Sequence, residues 1–361
     1  MLTRKSKSPL HAALGGSVLA LAVAGMLNAP HAFARTINVT ETGSTLLYPL
    51  FNLWVPAYTR SHPGVRITTQ GTGSGTGISE AVSGVAQIGA SDAYMSNMQV
   101  KQNPGILNIP LAISAQTINY NVPGLNGIHL KLSGPVIAGI YDGQIRYWNA
   151  PAIARLNPGR RLPHHLITPI HRTDGSGDTF IFSQYLSFST PYWNSHVGYG
   201  TTISWPAVPG GLGALGNPGM VQAAAQTPYS IAYIGVSFTK EVARAHLGTA
   251  VIRNRAGRFL LPTRMTVGAA AAELVNKTPK DERISLVFAP GAESYPIINY
   301  EYAIVNDHQA SRAMAMTLRE FLSWAVDTRE GNAQRFLRQV HFIALPPRIS
   351  ALSRTQIAKI H

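Results

Sequence analysis

One nine-residue segment of the sequence combines a permanent cation with a turn rich in hydrogen-bond donors. Arg172 precedes Thr173-Asp174-Gly175-Ser176-Gly177, and the apolar residues from Phe180 to Leu186 suit a helix with one buried side. The first N–H groups of a helix have no partner within it and carry positive potential. Because an arginine fork pairs with two oxygens at once, the segment predicts an oxyanion site. For this segment alone, an ordinary helix cap beside a surface arginine is an equal alternative.

Two earlier segments repeat the pattern of a Gly/Ser/Thr turn ahead of a helix. Gly43-Ser44-Thr45 precedes apolar residues at helical spacing, and residues 71–77 alternate glycine with serine or threonine. Gly89-Ala90-Ser91-Asp92 is typical of a strand that ends in a carboxylate. Ligands of open α/β sheets bind beyond the carboxyl ends of the strands, so the three turns could direct their donors at one anion.

The elements that must position these turns alternate between strands and helices. Residues 36–39 and 65–70 are predicted strands that lead into two of the turns, which favours a parallel α/β domain. Extended apolar segments at residues 109–121 and 295–305 would carry the chain into a second domain and back. We therefore predict one lobe from residues 35–112 plus 295–361, and a second lobe from residues 113–294.

Two segments of the second lobe have local patterns that predict their structure. Residues 212–219 are predicted to form a loop, because glycine and proline dominate them. The apolar residues 284–288 predict a buried strand.

The first 34 residues have the features of a secretory signal peptide. A basic start precedes the uncharged apolar run at residues 13–27, and Ala32-Phe33-Ala34 predicts cleavage after Ala34. A membrane anchor is a weaker alternative, because the apolar run is short and Pro30 follows it closely. These features predict a periplasmic protein.

Composition narrows the chemistry further. The 361 residues include no cysteine, which excludes disulfides, thiolate metal sites and a cysteine nucleophile. Lysine and arginine outnumber the acidic residues by 30 to 16, for a formal net charge of +14. The basic residues are scattered and do not alternate with aromatic residues, so we expect small anions and not nucleic acid as partners.

Four motifs at characteristic spacing give the sequence a family resemblance: Gly43-Ser44-Thr45, Gln70-Gly71-Thr72-Gly73-Ser74, Gly89-Ala90-Ser91-Asp92 and Arg172-Thr173-Asp174-Gly175-Ser176-Gly177. Over nearly all of the mature chain, the sequence resembles the periplasmic phosphate-binding proteins of the phosphate ABC transporter. The resemblance implies the α/β, two-lobed type II periplasmic binding protein fold, with a two-crossing hinge and an anion in the cleft. It also implies a monomer that delivers inorganic phosphate to permease subunits in the inner membrane, with no metal or other cofactor.

The resemblance assigns phosphate contacts to hydroxyl and backbone donors, a cationic fork and an acidic acceptor: Thr45, Leu46, Ser74, Asp92, Arg172, Ser176 and Gly177. Asp178 and Thr179, which follow this turn, complete the predicted phosphate-binding set. Asp174 is expected to hold the Arg172 fork in place. The family usually has an aromatic residue at the position of Leu46, where only the main-chain donor matters. It often has threonine at the position of Asp178, and Thr179 would then supply the missing hydroxyl.

Asp92 would give the site its specificity, because phosphate retains a proton at neutral pH and ionised sulfate has none. An acceptor that is buried without a partner is costly, so sulfate would be rejected. If Asp178 also faces the cleft, we expect a preference for singly charged phosphate and tighter binding at mildly acidic pH. For Asp92 alone, a helix N-cap is the alternative.

Enzymatic chemistry has less support in the sequence. No serine has the nucleophile-elbow spacing, and neither a His-Glu-x-x-His segment nor a nucleotide phosphate loop occurs. His164, His165 and His171 are close in sequence, but they lack a persuasive carboxylate partner for a metal. The two alternatives to a phosphate receptor are a receptor for another tetrahedral oxyanion and an exported phosphatase-like enzyme.

Overall fold

The computed structural model describes residues 36–361, so the predicted signal peptide and its cleavage site lie outside the described residues. The strands are β1 Ile37–Gly43, β2 Val65–Gly71, β3 Ile88–Ser91, β4 Ile106–Asn121, β5 Lys131–Leu132, β6 Thr168–Arg172, β7 Leu212–Ala214, β8 Ser230–Gly235, β9 Gly248–Thr249, β10 Val251–Arg253, β11 Phe259–Leu260 and β12 Ile298–Asn306. The helices are α1 Tyr48–Thr59, α2 Ser74–Ser83, α3 Asn97–Gln102, α4 Gly134–Tyr141, α5 Pro151–Leu156, α6 Gly177–Ser189, α7 Pro191–His196, α8 Gly216–Gln226, α9 Thr239–Arg244, α10 Arg264–Ala272, α11 Arg312–Ala325, α12 Gln334–Leu337 and α13 Pro347–Ile357.

The first three strands are parallel and end at the same edge of the main sheet. β1 pairs with β2 from Ile37–Val65 to Gly43–Gly71, and Gly43 also pairs with Ala90 of β3. The predicted strands at residues 36–39 and 65–70 are thus confirmed, although β1 extends as far as Gly43. The three following turns therefore start side by side, as expected for the ligand edge of a parallel sheet.

Strand β4 joins the two halves of the main sheet, whose order is β2-β1-β3-β12-β4-β8-β6-β7 with β9 added beside β4. Its residues from Ile106 to Ala115 pair with β12, and those from Gln116 to Asn121 pair with β8. Nearly every residue of β4 is buried, which explains the long apolar run in the sequence. Beyond β8 the pairing with β6 and then with β7 is parallel again, so these strands also end at one edge.

Two local predictions in the second half of the chain are wrong. Residues 212–219 do not form a loop: β7 pairs with β6, and α8 begins at Gly216. Gly216 has a positive φ of 63°, which allows a sharp turn between β7 and α8. This glycine therefore marks a tight turn and not a loop. Residues 284–288 belong to none of the described strands. Phe288 has a φ of 57°, which interrupts an extended backbone, and Leu286 is buried without ladder pairing.

The C-terminal helices cover the N-terminal half of the sheet. Helix α11 buries one side, which includes Leu318, Phe321 and Leu322. Phe321 of α11 packs edge-on against Tyr58 of α1 at 5.0 Å between ring centres, and Trp324 packs against Trp54 at 6.3 Å. This aromatic cluster fixes α1, and with it the turn that precedes α1. Within residues 36–361, no helix is both long enough and apolar enough to cross a membrane.

Candidate functional site

The turns after β1 and β2 are tied to one another by backbone hydrogen bonds. The N–H of Ser44 donates to the carbonyl of Ala90 over 2.9 Å, and the N–H of Gly73 donates to the carbonyl of Gly43 over 2.7 Å. Helix α2 then begins at Ser74, directly after the glycine turn. A helix after this glycine-rich segment was predicted, but it begins at Ser74, so the second half of the predicted turn at residues 71–77 is helical. The carboxyl ends of the three strands present their polar side chains together.

Asp92 lies at the centre of a cluster of polar side chains at the carboxyl ends of β1, β2 and β3. It is 2% exposed, and the hydroxyl of Ser44 donates to its Oδ1. The hydroxyl of Ser74 donates to Oδ2 over 3.3 Å and accepts the N–H of Asp92 over 3.1 Å. Ser44 Oγ also accepts the N–H groups of Leu46 and Leu47 at 3.1 and 2.9 Å. The main-chain donor of Leu46, predicted to contact an anion, thus has a hydroxyl partner here.

Arg172 lies at the end of β6 and is clamped by Asp174. Its Nε donates to Asp174 Oδ1 over 2.7 Å, and its Nη2 donates to Asp174 Oδ2. Burial lowers the pKa of Arg172, but the hydrogen bond to Asp174 and the charge of Asp178 raise it above its usual value. The guanidinium therefore stays charged although it is buried. The structure places Asp174 where the family resemblance implied, as the group that fixes the fork.

Asp178 faces the same cluster from the first turn of α6. Its Oδ2 accepts Arg172 Nη1 at 2.8 Å and Asn217 Nδ2 at 2.6 Å, and its Oδ1 accepts Gln116 Nε2 at 3.0 Å. Burial raises the pKa of Asp178, while Arg172 and the two amides oppose that rise. The carboxylate therefore lies beside the Arg172 guanidinium, and when it is ionised it would oppose an anion that approaches this cluster.

Asn217 and Gln116 were not among the predicted site residues. Asn217 lies in the first turn of α8, inside the segment that the sequence predicted as a loop, and Gln116 lies on β4. The available signal for Asn217 was a glycine turn that precedes a helix, as at the other three turns. Gln116 is one polar residue in a buried strand, and only the sheet pairing places it beside Asp178.

Contacts between turns that are distant in the sequence bring the Asp92 cluster and the Arg172 cluster into one site. Thr45 Oγ1 accepts the N–H and the Nδ2 of Asn217 at 3.2 and 3.0 Å. The N–H of Gly75 donates to the carbonyl of Gly175 over 2.8 Å. A Cβ atom added at Gly177 would lie 2.4 Å from Asp92 Oδ2, so the start of α6 abuts the Asp92 carboxylate.

The hydroxyl groups of Ser176 and Thr179 have partners of their own. Ser176 Oγ accepts the N–H of Thr179 over 3.1 Å as the N-cap of α6. The hydroxyl of Thr179 is 2.7 Å from the phenol oxygen of Tyr233, which also accepts the N–H of Arg172. The structure thus keeps both residues near Arg172, but it does not bring the Thr179 hydroxyl to the place that Asp178 occupies.

A further carboxyl group, Glu301 of β12, lies behind Asp92 and was missed by the sequence analysis. Burial and then Asp178 raise the pKa of Asp92, and Glu301 forms part of the same charged group. Asp174 and Asp178 thus pair with Arg172, while Asp92 and Glu301 lie beside each other next to this ion pair. Such a site is suited to an anion that brings a proton of its own, because that proton can be donated to a carboxylate.

The three neighbouring histidines do not form a common site. His164 stacks on Tyr147, with 4.5 Å between ring centres, His165 stacks on Tyr229 and His171 on Trp205. In the part of the chain that the structure describes, no three metal-ligating side chains are grouped.

Comparisons with known proteins agree over almost the whole chain. A family model described as a PBP superfamily domain matches residues 28–329. The phosphate-binding protein PstS of Methanocaldococcus jannaschii is 31% identical over 343 residues, with 90% of this chain and 87% of that protein covered. PstS of Pasteurella multocida is 32% identical over 288 residues, with 80% and 81% covered. The crystal structure of a phosphate binding protein from Stenotrophomonas maltophilia is similar with a TM-score of 0.66 and 18% identity, covering 89% of this chain and 94% of that one.

Proposed function

Because the chain belongs to the PBP superfamily and to its phosphate-binding protein PstS family, we propose that it binds inorganic phosphate and delivers it to a phosphate ABC transporter. Its fold is the mixed α/β, two-lobed fold of periplasmic phosphate-binding proteins. Its relatives are substrate-binding proteins and not enzymes. Phosphate capture without turnover is therefore the function that we propose here.

The observation that carries the proposal is the clamped, buried guanidinium of Arg172. Asp174 takes two of its five N–H groups and Asp178 takes a third. The other two have no partner among the described residues, and they provide the charged donors for phosphate oxygens. A guanidinium that is already oriented by a carboxylate loses little further freedom on binding, which favours affinity.

Protonation supplies the specificity in this proposal. Asp92 lies opposite the Arg172 cluster, and its raised pKa reflects burial and the charge of Asp178. Phosphate can donate its remaining proton to Asp92, whereas sulfate would bring two unprotonated oxygens against carboxyl groups. Each such unsatisfied contact costs on the order of 1–3 kcal/mol, so sulfate should bind far more weakly. The raised pKa of Asp178 adds a second group that can carry a proton while an anion is bound.

We further propose that residues 35–112 plus 295–361 form one lobe and that residues 113–294 form the other. The change of β4 partner from β12 to β8 after Ala115 supports a crossing at that point. The contacts Thr45–Asn217 and Gly75–Gly175 would then join the closed lobes across the cleft. Closure excludes water, and this strengthens each charge-assisted hydrogen bond to the anion.

The setting that fits this function is the periplasm, with export by the predicted signal peptide. The partners in this proposal are phosphate and the permease subunits, and the protein acts as a monomer. A cleft that closes around the anion gives the permease a means of distinguishing the loaded protein from the free one.

Isothermal titration of the mature protein with phosphate, arsenate, phosphite and sulfate tests the proposal. We expect phosphate to bind tightly and sulfate to bind at least about 100-fold more weakly, because it lacks the proton for Asp92. Equal or tighter sulfate binding would favour the other oxyanion receptor. Turnover of a chromogenic phosphate ester that is lost in Arg172→Ala would favour the phosphatase-like enzyme instead.

A further inference from the structure

Glu301 is a buried carboxyl group that lies directly behind the proposed specificity residue. Ser91 of β3 pairs with Tyr302 of the antiparallel strand β12, so the next position along each strand places Asp92 opposite Glu301. Directly opposite side chains on one face of a sheet lie close together. Glu301 is 0% exposed, and its carboxyl group is within hydrogen-bonding reach of that of Asp92.

The neighbours of Glu301 provide hydrogen bonds but no compensating cation. Its Oε1 accepts the hydroxyl of Ser114 on β4 and Nδ2 of Asn299 over 3.1 Å. Its Oε2 has no hydrogen-bond donor anywhere in residues 36–361. The amide Nδ2 of Asn299 also donates to the carbonyl of Asp92 over 3.2 Å, which fixes the two acidic residues relative to each other.

Among residues 36–361, the cation that acts on Asp92 is Arg172, and it is already paired with other carboxylates. Arg172 pairs with Asp174 and Asp178, and Asp178 is the further charged group that acts on Asp92. Two ionised carboxylates side by side in a buried site repel each other strongly. A proton on Glu301 Oε2 removes this repulsion and converts an acceptor without a donor into a donor toward Asp92.

We propose that Glu301 is a positioning residue that stays protonated at neutral pH and donates a hydrogen bond to Asp92. The proton keeps the Asp92–Glu301 pair at a single negative charge and holds the Asp92 carboxylate oriented toward the cleft. This role rests on the proposed function, since Asp92 then remains ionised as the acceptor for the proton of phosphate. Loss of the Glu301 proton sets an upper pH limit for binding, because a second negative charge then faces the anion.

A test that needs no ligand compares the unfolding of the wild type and of Glu301→Gln as a function of pH. Glutamine keeps an oxygen for Ser114 and Asn299 and an N–H₂ for Asp92, but it does not titrate. Burial, and then Asp92, raise the pKa of Glu301 above its usual value, so the folded wild type binds one proton more than the unfolded chain. The contribution of Glu301 to folding stability is therefore fully present at acidic pH and is lost as pH rises.

Urea unfolding between about pH 5 and pH 7 measures this difference. The ratio of the wild-type to the variant unfolding constant should rise about tenfold per pH unit. Buried acids that do not contact Glu301 are common to both proteins and cancel in that ratio, which therefore reports the proton held by the Asp92–Glu301 pair. A ratio that is independent of pH would show that Glu301 is ionised in the folded protein, and it would overturn the inference.

Phosphate titration then tests the link to the site. At neutral pH, Glu301→Gln should retain wild-type affinity within about threefold, and it should hold that affinity at alkaline pH where the wild type weakens. Glu301→Leu, which cannot donate to Asp92, should lose about tenfold or more. Binding by Glu301→Gln that is at least about tenfold tighter than wild type at neutral pH would contradict a protonated Glu301.

Glu282→Gln is the matched control. Glu282 is also a buried carboxyl group, but its Oε1 accepts the hydroxyl of Ser353 and not a group of the site, so this variant should leave phosphate affinity unchanged. If the wild type binds no phosphate, the proposed function fails. The pH dependence of the unfolding ratio still decides in that case whether the Asp92–Glu301 pair holds a proton.

Discussion

Replacing Gly177 with alanine should block the site without damaging the fold. A Cβ atom at this position would lie 2.4 Å from Asp92 Oδ2 and 2.5 Å from Ser74 Oγ, whereas ordinary contacts begin at 3.4 Å. The start of α6 and the Asp92 side would have to separate by about 1 Å. Gly177 is not among the glycines with positive φ, so an alanine at this helical position adds the methyl group and no backbone strain.

The magnitude follows from the bonds that span this gap. A separation of about 1 Å breaks hydrogen bonds of the length seen between Gly75 and Gly175, as well as those from one bound anion to both sides. Each hydrogen bond to a charged group contributes roughly 1.5–3 kcal/mol, and two lost bonds give roughly 3–6 kcal/mol. Phosphate binding should therefore weaken at least about 100-fold.

Calorimetric titration with phosphate, together with thermal unfolding, measures both parts of this prediction. The variant should keep the wild-type circular dichroism spectrum and unfold at a slightly lower temperature, because the separation breaks only the contacts that span this gap. Gly268→Ala in α10 is the matched control, since nothing lies within 4 Å of its Cβ position, and it should bind phosphate normally. Wild-type affinity in Gly177→Ala would refute the close approach of α6 to Asp92 in the bound protein.

Three further predictions concern protons and donors. Phosphate affinity should fall from mildly acidic to mildly alkaline pH, because burial raises the pKa of Asp178 and its ionised carboxylate repels the anion. Asp178→Thr should flatten this profile, and flat or rising wild-type affinity would count against the reasoning. Asn217→Ala should weaken phosphate binding about tenfold in calorimetry by freeing Thr45 and Asp178 to shift, and unchanged binding would remove Asn217 from the site. Burial raises the pKa of Glu41 to about 8, although the hydroxyl of Thr69 donates a hydrogen bond to its carboxyl group. The contribution of Glu41 to folding stability is therefore complete below the unfolded-state pKa of 4.5 and is lost as pH rises through about 8. Urea unfolding should accordingly show wild-type stability falling by up to about 4 kcal/mol more than that of Glu41→Gln between about pH 5 and pH 8, and parallel curves would contradict a protonated Glu41.

The sequence was sufficient where local motifs determine local structure. Helices after the glycine-rich segment at residues 71–77 and after Ser176 were predictable, because such turns precede helices, although α2 begins within the first segment, at Ser74. The clamp of Asp174 on Arg172 was implied by the family resemblance, and the structure contains this hydrogen bond.

Residues that enter the site through sheet pairing could not be found in this way. Gln116 and Glu301 lie on long buried strands, and only the change of partner along β4 and the register of β12 bring them to Asp178 and Asp92. Asn217 was lost because its glycine-rich segment resembled a loop, whereas parallel pairing with β6 makes part of it a strand.

The hydrogen-bond partners of hydroxyl and backbone N–H donors also depend on residues that only the fold brings near. The hydroxyl of Thr179 lies beside Tyr233, and the N–H of Leu46 donates to Ser44, although the family resemblance assigned both to an anion. Their participation in phosphate binding stays a prediction. These partners follow from how β8 and the turn after β1 pack, which no spacing in the sequence specifies.

The most direct test of the central claim is a calorimetric phosphate titration of Arg172→Ala beside the wild type. Arg244→Ala serves as the control, because that arginine has a side chain 74% exposed and pairs only with Glu241 among the described residues. We predict tight binding by the wild type and the control, and no measurable binding by Arg172→Ala in a protein that keeps the wild-type circular dichroism spectrum. Phosphate affinity unchanged in Arg172→Ala would contradict the account.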